Sequence, residues 1–445
     1  MQWGYTMSGL KMGNTRMKLL AGAVMFLAGA TLATSAMSTQ LYGGGATLPA
    51  GGYVGFNWVS TNTRLVPDTG VTINPTSLFG AWASSTGNTV QYCQTGSGGG
   101  KRVLDGDSTT LPSLTPAGLC GSFNPPPAQQ NAGFQIPSTA IGQPDFVASD
   151  APISPSEYST FVTNRGAAKG EPIQFPAIVG SIAVIYHNTD TAVGTKINLT
   201  TTQVCQIFAG TLTNWNQINS AYASKAINVV FRSDGSGTTF NTMNHLNAVC
   251  GTAVPSGHFV VDQSFATATA GLPIASSSSK TGASGNPAVI IAANGIDGAI
   301  GYAETSNALN QGLANTHYAT VDSKDPVTDL PATFNVTSGS VVFDKTVSAD
   351  PSTGAAILNT LVPNSTANCL AVVTPSSFNN PSTGYSIIGV SYLLANQKGN
   401  STNLNTLRSF LAFPYTHAGT TLPGGLSFIG NTGISTLKIN SCTAA

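Results

Sequence analysis

Charge is what this 445-residue chain has least of: Asp, Glu, Lys and Arg make up 8% of it, 17 acidic against 17 basic residues. With no basic excess and no basic run interleaved with aromatics, it lacks the electrostatic footprint needed to neutralise a phosphate backbone, so nucleic acid is not expected as a partner. No Cys-x-x-Cys occurs among the 6 cysteines, and His187, His245, His258, His317 and His417 show no metal-ligand spacing, so no metal site is expected. Also missing are the G-x-S-x-G nucleophile elbow and the G-x-x-x-x-G-K-[ST] nucleotide loop. No cofactor is implied. What fills the chain instead is neutral polarity: 49 glycines and abundant Ser, Thr and Asn.

The first residues read as an export signal. Lys11, Arg16 and Lys18 precede the apolar run "LLAGAVMFLAGATLA" (19–33), and small residues close it at Ala36. That run is shorter than the ~18 to 20 residues of a membrane span, so residues 1–36 are expected to be a cleaved signal peptide. Removing three basic residues leaves 14 against 17 acidic, a mildly acidic mature chain. Periplasmic or extracellular localisation follows. An even number of cysteines in an exported chain favours disulfides, and six allow fifteen connectivities. Nearest-neighbour pairing, Cys93 with Cys120, Cys205 with Cys250 and Cys369 with Cys442, is expected because each bridge would close one long loop-rich excursion.

Short β-branched runs at 178–187, 226–231, 287–293 and 385–395 read as buried strands, and "TTFNTMNHLNAV" (238–249) and "NTLRSFLAF" (405–413) as helices. Strands alternating with helices argue for α/β layers. Two tracts, 105–145 and roughly 321–383, are polar, loop-like and carry no concentrated chemistry.

Four segments are chemically alike, namely "GGGATLPA" (43–50), "TGSGGG" (95–100), "FVASDAPIS" (146–154) and "RSDGSGTTF" (232–240). Glycine lets a backbone approach a ligand closely, Ser and Thr add hydroxyl donors, and a helix starting just after such a loop adds partial positive charge. In the fourth, Arg232 is a full positive charge in a fork that grips two oxygens, and Asp234 stands where it can hold the guanidinium. Taken singly, each has a plainer reading: a flexible turn, an N-terminal turn, a helix cap at Asp150, or Ser236 capping a helix.

Taken in order, GATLP, TGSGGG, ASDAPIS and RSDGSGTTF resemble the periplasmic phosphate-binding proteins of ABC importers, the PstS family, and "GGGATLP" resembles its DING branch. The resemblance covers most of 42–305 and, more faintly, 384–430. It implies an α/β fold: a two-lobed clamshell of the type II periplasmic-binding class, with two hinge strands near 178–187 and 385–395 and the ligand between the lobes. Lobe one would be 41–178 plus 390–445, and lobe two 179–389. The phosphate ligands it implies are the Thr47 hydroxyl, the Leu48 N–H, Ser97 and Asp150 from one lobe, and Arg232, Ser236, Gly237 and Thr238 from the other, with Asp234 orienting the arginine. Leu48 stands where many relatives have an aromatic residue, and Gly98 where a second serine is common. The 105–145 excursion is longer than the usual connection.

An aspartate facing an anion makes sense once protonation is considered. Phosphate near neutral pH still carries a proton that ionised Asp150 can accept as a hydrogen bond, whereas sulfate has none. The resemblance implies a monomeric, non-enzymatic binding protein for inorganic phosphate, with an ABC permease as partner. The alternatives are a secreted phosphatase, an adhesion or matrix protein that kept the fold, and a site for another oxyanion such as sulfate or molybdate.

Overall fold

The computed structural model describes residues 38–56, 73–106, 144–254, 257–311, 315–361, 369–416 and 419–445. The expected signal peptide, Cys120 and nearly all of the 105–145 tract lie outside the described residues. Residues 38–445 form one compact unit.

In chain order, strand β1 (Gln40–Gly45) is followed by helix α1 (Leu78–Thr86), β2 (Thr89–Gln94), α2 (Ser97–Asp105), β3 (Phe146–Ser149) and α3 (Pro155–Lys169). The long strand β4 (Pro172–His187) comes next, every residue of it buried. After it come α4 (Thr201–Ala209), β5 (Asn228–Arg232), α5 (Gly237–Val249), β6 (Lys280–Ala283), α6 (Asn286–Gly295) and β7 (Ala299–Glu304). The chain returns through β8 (Ile388–Asn396), α7 (Leu404–Ala412) and β9 (Leu426–Gly430).

One sheet path runs β2-β1-β3-β8-β4-β7-β5-β6. Strand β4 belongs to both lobes: its Pro172–Ser181 part pairs antiparallel with β8, and its Ile182–His187 part pairs antiparallel with β7. The parallel pairs β1–β2 and β1–β3 build the first lobe, and β5–β6 and β5–β7 the second. Parallel strands need crossover connections and both faces covered, which is why these strands read as near-continuous apolar runs. The chain recrosses where the Ile182 N–H donates to the Ile387 carbonyl at 2.8 Å.

Each lobe has its own aromatic centre. In the first, Phe146 packs against Phe410 at 4.4 Å and Tyr53 stacks on Phe79 at 4.4 Å. In the second, Phe231 stacks on Phe265 at 4.3 Å and Phe208 meets Tyr302 edge-on at 5.7 Å. Two of the expected disulfides are present, Cys205–Cys250 tying α4 to the end of α5, and Cys369–Cys442.

One expectation is corrected. The run 287–293 is not a strand but most of helix α6, opened by Pro287 in its first turn. A short apolar run with no polar alternation does not separate a buried strand from a buried helix. The tract from 333 to 373 is hydrogen-bonded to residues of both lobes. Thr333–Asn335 pairs parallel with β9, the Val347 N–H donates to the Ile153 carbonyl, and Gln174 Nε2 donates to the Ala371 carbonyl. On the second lobe's side, Asn247 donates to the Thr353 carbonyl and Asn244 to that of Pro375, just beyond the tract.

Candidate functional site

The four sequence segments meet in one place. "GATLP" follows the end of β1, "TGSGGG" links β2 to the start of α2, "ASDAPIS" follows β3, and "RSDGSGTT" links β5 to α5. All four leave strand ends, and two of the loops run directly into the N-termini of α2 and α5, so backbone N–H groups and the positive ends of helix dipoles converge there. Gly96, with φ of +77°, makes the turn into α2. A Cβ there would also lie 2.3 Å from the Asp234 carboxylate, so only glycine fits.

The lobes touch closely along this seam. The Gly98 N–H donates to the Gly235 carbonyl at 2.8 Å, and Asn241 Nδ2 donates to the Asp150 carbonyl at 2.6 Å. A Cβ on Gly237 would lie 2.5 Å from both Asp150 Cβ and Ser97 Oγ. Gly237 and the pair Ser97/Asp150 therefore face each other from opposite lobes.

Thr47, Ser97, Asp150, Arg232, Ser236 and Thr238 are all buried. The Ser97 hydroxyl donates to Asp150 Oδ2 at 3.3 Å and accepts the Asp150 N–H at 3.0 Å. The other carboxylate oxygen, Asp150 Oδ1, is buried without a partner. Burial pushes the Asp150 carboxyl up to about 7, a rise that the neighbouring Ser391 hydroxyl, the Arg232 guanidinium, Ser97 and Lys101 only partly offset.

Arg232 lies at the seam with its fork engaged by groups of the protein. Nε donates to Asp234 Oδ1 at 2.7 Å and Nη2 to Asp234 Oδ2 at 2.5 Å, a bidentate pair. Nη1 donates to the hydroxyls of Thr47 at 3.1 Å and Thr238 at 3.2 Å. Burial lifts the Asp234 carboxyl, but the Arg232 charge together with hydrogen bonds from Arg232 and the Gly285 N–H outweighs it and holds the group below the usual carboxylate range. Burial likewise works against the charged guanidinium, and Asp234 more than restores it. The pair, neutral as a whole, fixes the guanidinium so that Nη1 sets two threonine hydroxyls from opposite lobes.

Ser236 caps α5 by accepting the Thr239 N–H at 3.0 Å, so the plainer reading of that residue holds alongside its place at the seam. The Leu48 side chain packs into the core, where a Cβ on Gly180 would lie 2.7 Å from its Cδ2.

Several residues at the site were not legible in sequence. Asn286 contacts both threonines, Ser391 lies beside Asp150 on β8, and Asn241 holds the Asp150 carbonyl. Behind them, Lys101 Nζ is buried on Glu157 at 2.9 Å, and Gln263 from the other lobe donates to Glu157 at 3.2 Å. Only the Gly-Asn step before a helix signalled Asn286, and nothing in the sequence paired it with residue 47. No group of three or more His, Cys, Asp or Glu placed to hold a metal ion occurs among the described residues.

Two α/β lobes sharing a buried polar seam, with strand ends and helix N-termini meeting there, define the periplasmic-binding class of fold. A family model described as "PBP superfamily domain" matches residues 74–405, and the chain belongs to that superfamily. Its relatives include the PstS and DING types that the motifs resemble. "Phosphate-binding protein PstS 3" of Mycobacterium tuberculosis is 28% identical over 243 residues, 52% of this chain and 60% of that relative. "Alkaline phosphatase L" of Pseudomonas aeruginosa is 31% identical over 275 residues, 61% of this chain and 66% of that relative. The matches thus span about two thirds or less of these curated relatives. Among solved structures, a high-affinity periplasmic phosphate-binding protein (PfluDING) bound with phosphate superposes with a TM-score of 0.57 at 21% identity, covering 90% of this chain and 92% of that one.

Proposed function

We propose that this protein captures inorganic phosphate between its two lobes outside the inner membrane and presents it to an ABC-type permease, without chemical turnover. One observation carries the reading: Thr47, Ser97 and Asp150 from one lobe and Arg232, Ser236, Gly237 and Thr238 from the other converge on one buried seam, and Asp150 Oδ1 there is an acceptor without a partner. Hydroxyls and backbone N–H groups supply donors for the oxygens of the anion, and Asp150 supplies the acceptor for its remaining proton. A site that requires a ligand O–H rejects an analogue lacking it by about 10⁴ to 10⁵, which disfavours sulfate. Export to the periplasm or beyond fits this role, and among the described residues no helix is long and apolar enough to cross a membrane.

Equilibrium dialysis with labelled phosphate tests the reading. One phosphate retained per chain, not displaced by excess sulfate, is the expected result. Failure to retain phosphate, or its ready displacement by sulfate, would overturn it.

The relatives named alkaline phosphatase L favour a second reading, hydrolysis of phosphate esters. It requires a nucleophile with a base or a metal cluster. Release of phosphate from a simple aryl ester by purified protein, abolished by Ser236→Ala, would establish it in place of simple capture.

A further inference from the structure

Asn286 opens helix α6 and is fully buried. Its backbone N–H donates to Thr47 Oγ1 at 3.3 Å, and its Nδ2 donates to Thr238 Oγ1 at 3.2 Å. Its Oδ1 accepts the Glu304 N–H at 3.3 Å. A backbone N–H can only donate, so the amide oxygen must face Glu304 and the NH₂ group must face Thr238. Chemistry fixes which way this side chain points.

The consequence falls on the two threonines. Each hydroxyl has one proton and two lone pairs. Thr238 Oγ1 receives Arg232 Nη1 and Asn286 Nδ2, and Thr47 Oγ1 receives Arg232 Nη1 and the Asn286 N–H. Arginine and amide N–H groups cannot accept, so both lone pairs on each oxygen are taken by obligate donors. What each threonine retains is its O–H, and that proton can go only to an acceptor.

We infer that Asn286 is a positioning residue which, together with Arg232, sets the hydroxyls of Thr47 and Thr238 as obligate donors toward the bound anion. The inference rests on the phosphate reading above. Arg232 contributes to this setting through Nη1, which donates to both hydroxyls from opposite lobes. Thr47 is further fixed because Asn307 Nδ2 donates to its carbonyl at 3.1 Å, and Asn307 is itself held by the Glu304 carboxylate. The Asn286 backbone serves Thr47 and its side chain serves Thr238, so only the second half responds to side-chain substitution.

A double-mutant cycle on the full chain, read by phosphate calorimetry, tests this. Asn286→Ala should weaken phosphate about tenfold in the wild-type background but less than about twofold in Thr238→Val, because the side chain acts through that hydroxyl. Equal losses in both backgrounds would overturn the inference while leaving phosphate binding intact, and a wild type that binds no phosphate would remove the reading beneath it. Asn286→Asp, which keeps the shape, gives a second readout should the alanine variant fold poorly. As a carboxylate it draws the Thr238 proton to itself, and as the neutral acid it donates again. Its affinity relative to wild type should therefore fall roughly 100-fold near pH 8 and recover by about tenfold or more near pH 5. A pH-independent deficit would count against the mechanism.

Discussion

Asp150 is a buried carboxylate with one oxygen unpaired, an arrangement that costs stability unless something occupies it. Its carboxyl is raised to about 7 against an ordinary value of 3.8, with burial the main cause. The native state therefore holds a proton that the unfolded chain has already lost between about pH 4 and 7. With more protons bound in the native state, stability falls as pH rises through that window. Glu304, raised by burial to about 8 despite its hydrogen bonds to Ser306 and Asn307, acts in the same direction. Asp150→Asn should raise Tm at about pH 8 by roughly 3 °C and do little near pH 4, as scanning calorimetry would show. An unchanged or lower Tm at high pH would mean the carboxylate is better satisfied than its surroundings indicate. At the same scale, Thr47→Val and Thr238→Val should each weaken phosphate by roughly 10- to 100-fold, the usual loss of a hydrogen bond to a charged group.

At the scale of elements, the site is made by loops that leave strands and enter helices, and these were legible because their composition is special. "TGSGGG" and "RSDGSGTT" sit between an apolar run and a helical pattern, and the structure places β2, α2, β5 and α5 around them. Less legible was anything set by pairing distant in sequence. Asn286 meets Thr47 across 239 residues, a contact that no local pattern encodes. Helix α6 reads as a strand because its apolar residues show no helical or alternating period. The Cys205–Cys250 disulfide, expected from spacing alone, clamps α4 to α5, the helix whose N-terminus faces the seam. With 45 residues between its ends it contributes about 4 kcal/mol by chain-entropy reasoning. A Cys205→Ala/Cys250→Ala variant should lose about 5 °C of Tm while keeping its anion preference. Lost preference with unchanged Tm would show that the bridge shapes the site rather than the fold.

Over the whole molecule, the two-lobed plan follows from β4 and β8, whose long apolar runs stood out in sequence. The 333–373 tract pairs with β9, a contact its weakly periodic, polar sequence gave no sign of, whereas the Cys369–Cys442 bridge at its end was expected from cysteine order. A further contact between the lobes lies directly behind the candidate ligand residues: Gln263, whose carbonyl accepts the Ser236 N–H, reaches across to Glu157, itself paired with buried Lys101. Gln263→Ala removes one contact made between the lobes, so it should speed phosphate release about fivefold in stopped-flow measurements while leaving the preference over sulfate unchanged. An altered preference would mean that this clasp is part of the recognition chemistry.

The most direct test of the account compares the affinities for phosphate and sulfate by titration calorimetry at about pH 8, for wild type and Asp150→Asn. The account predicts a wild-type preference for phosphate of about 10⁴ that shrinks by at least tenfold in the variant. Equal wild-type affinity for the two anions, or a preference untouched by the substitution, would contradict it.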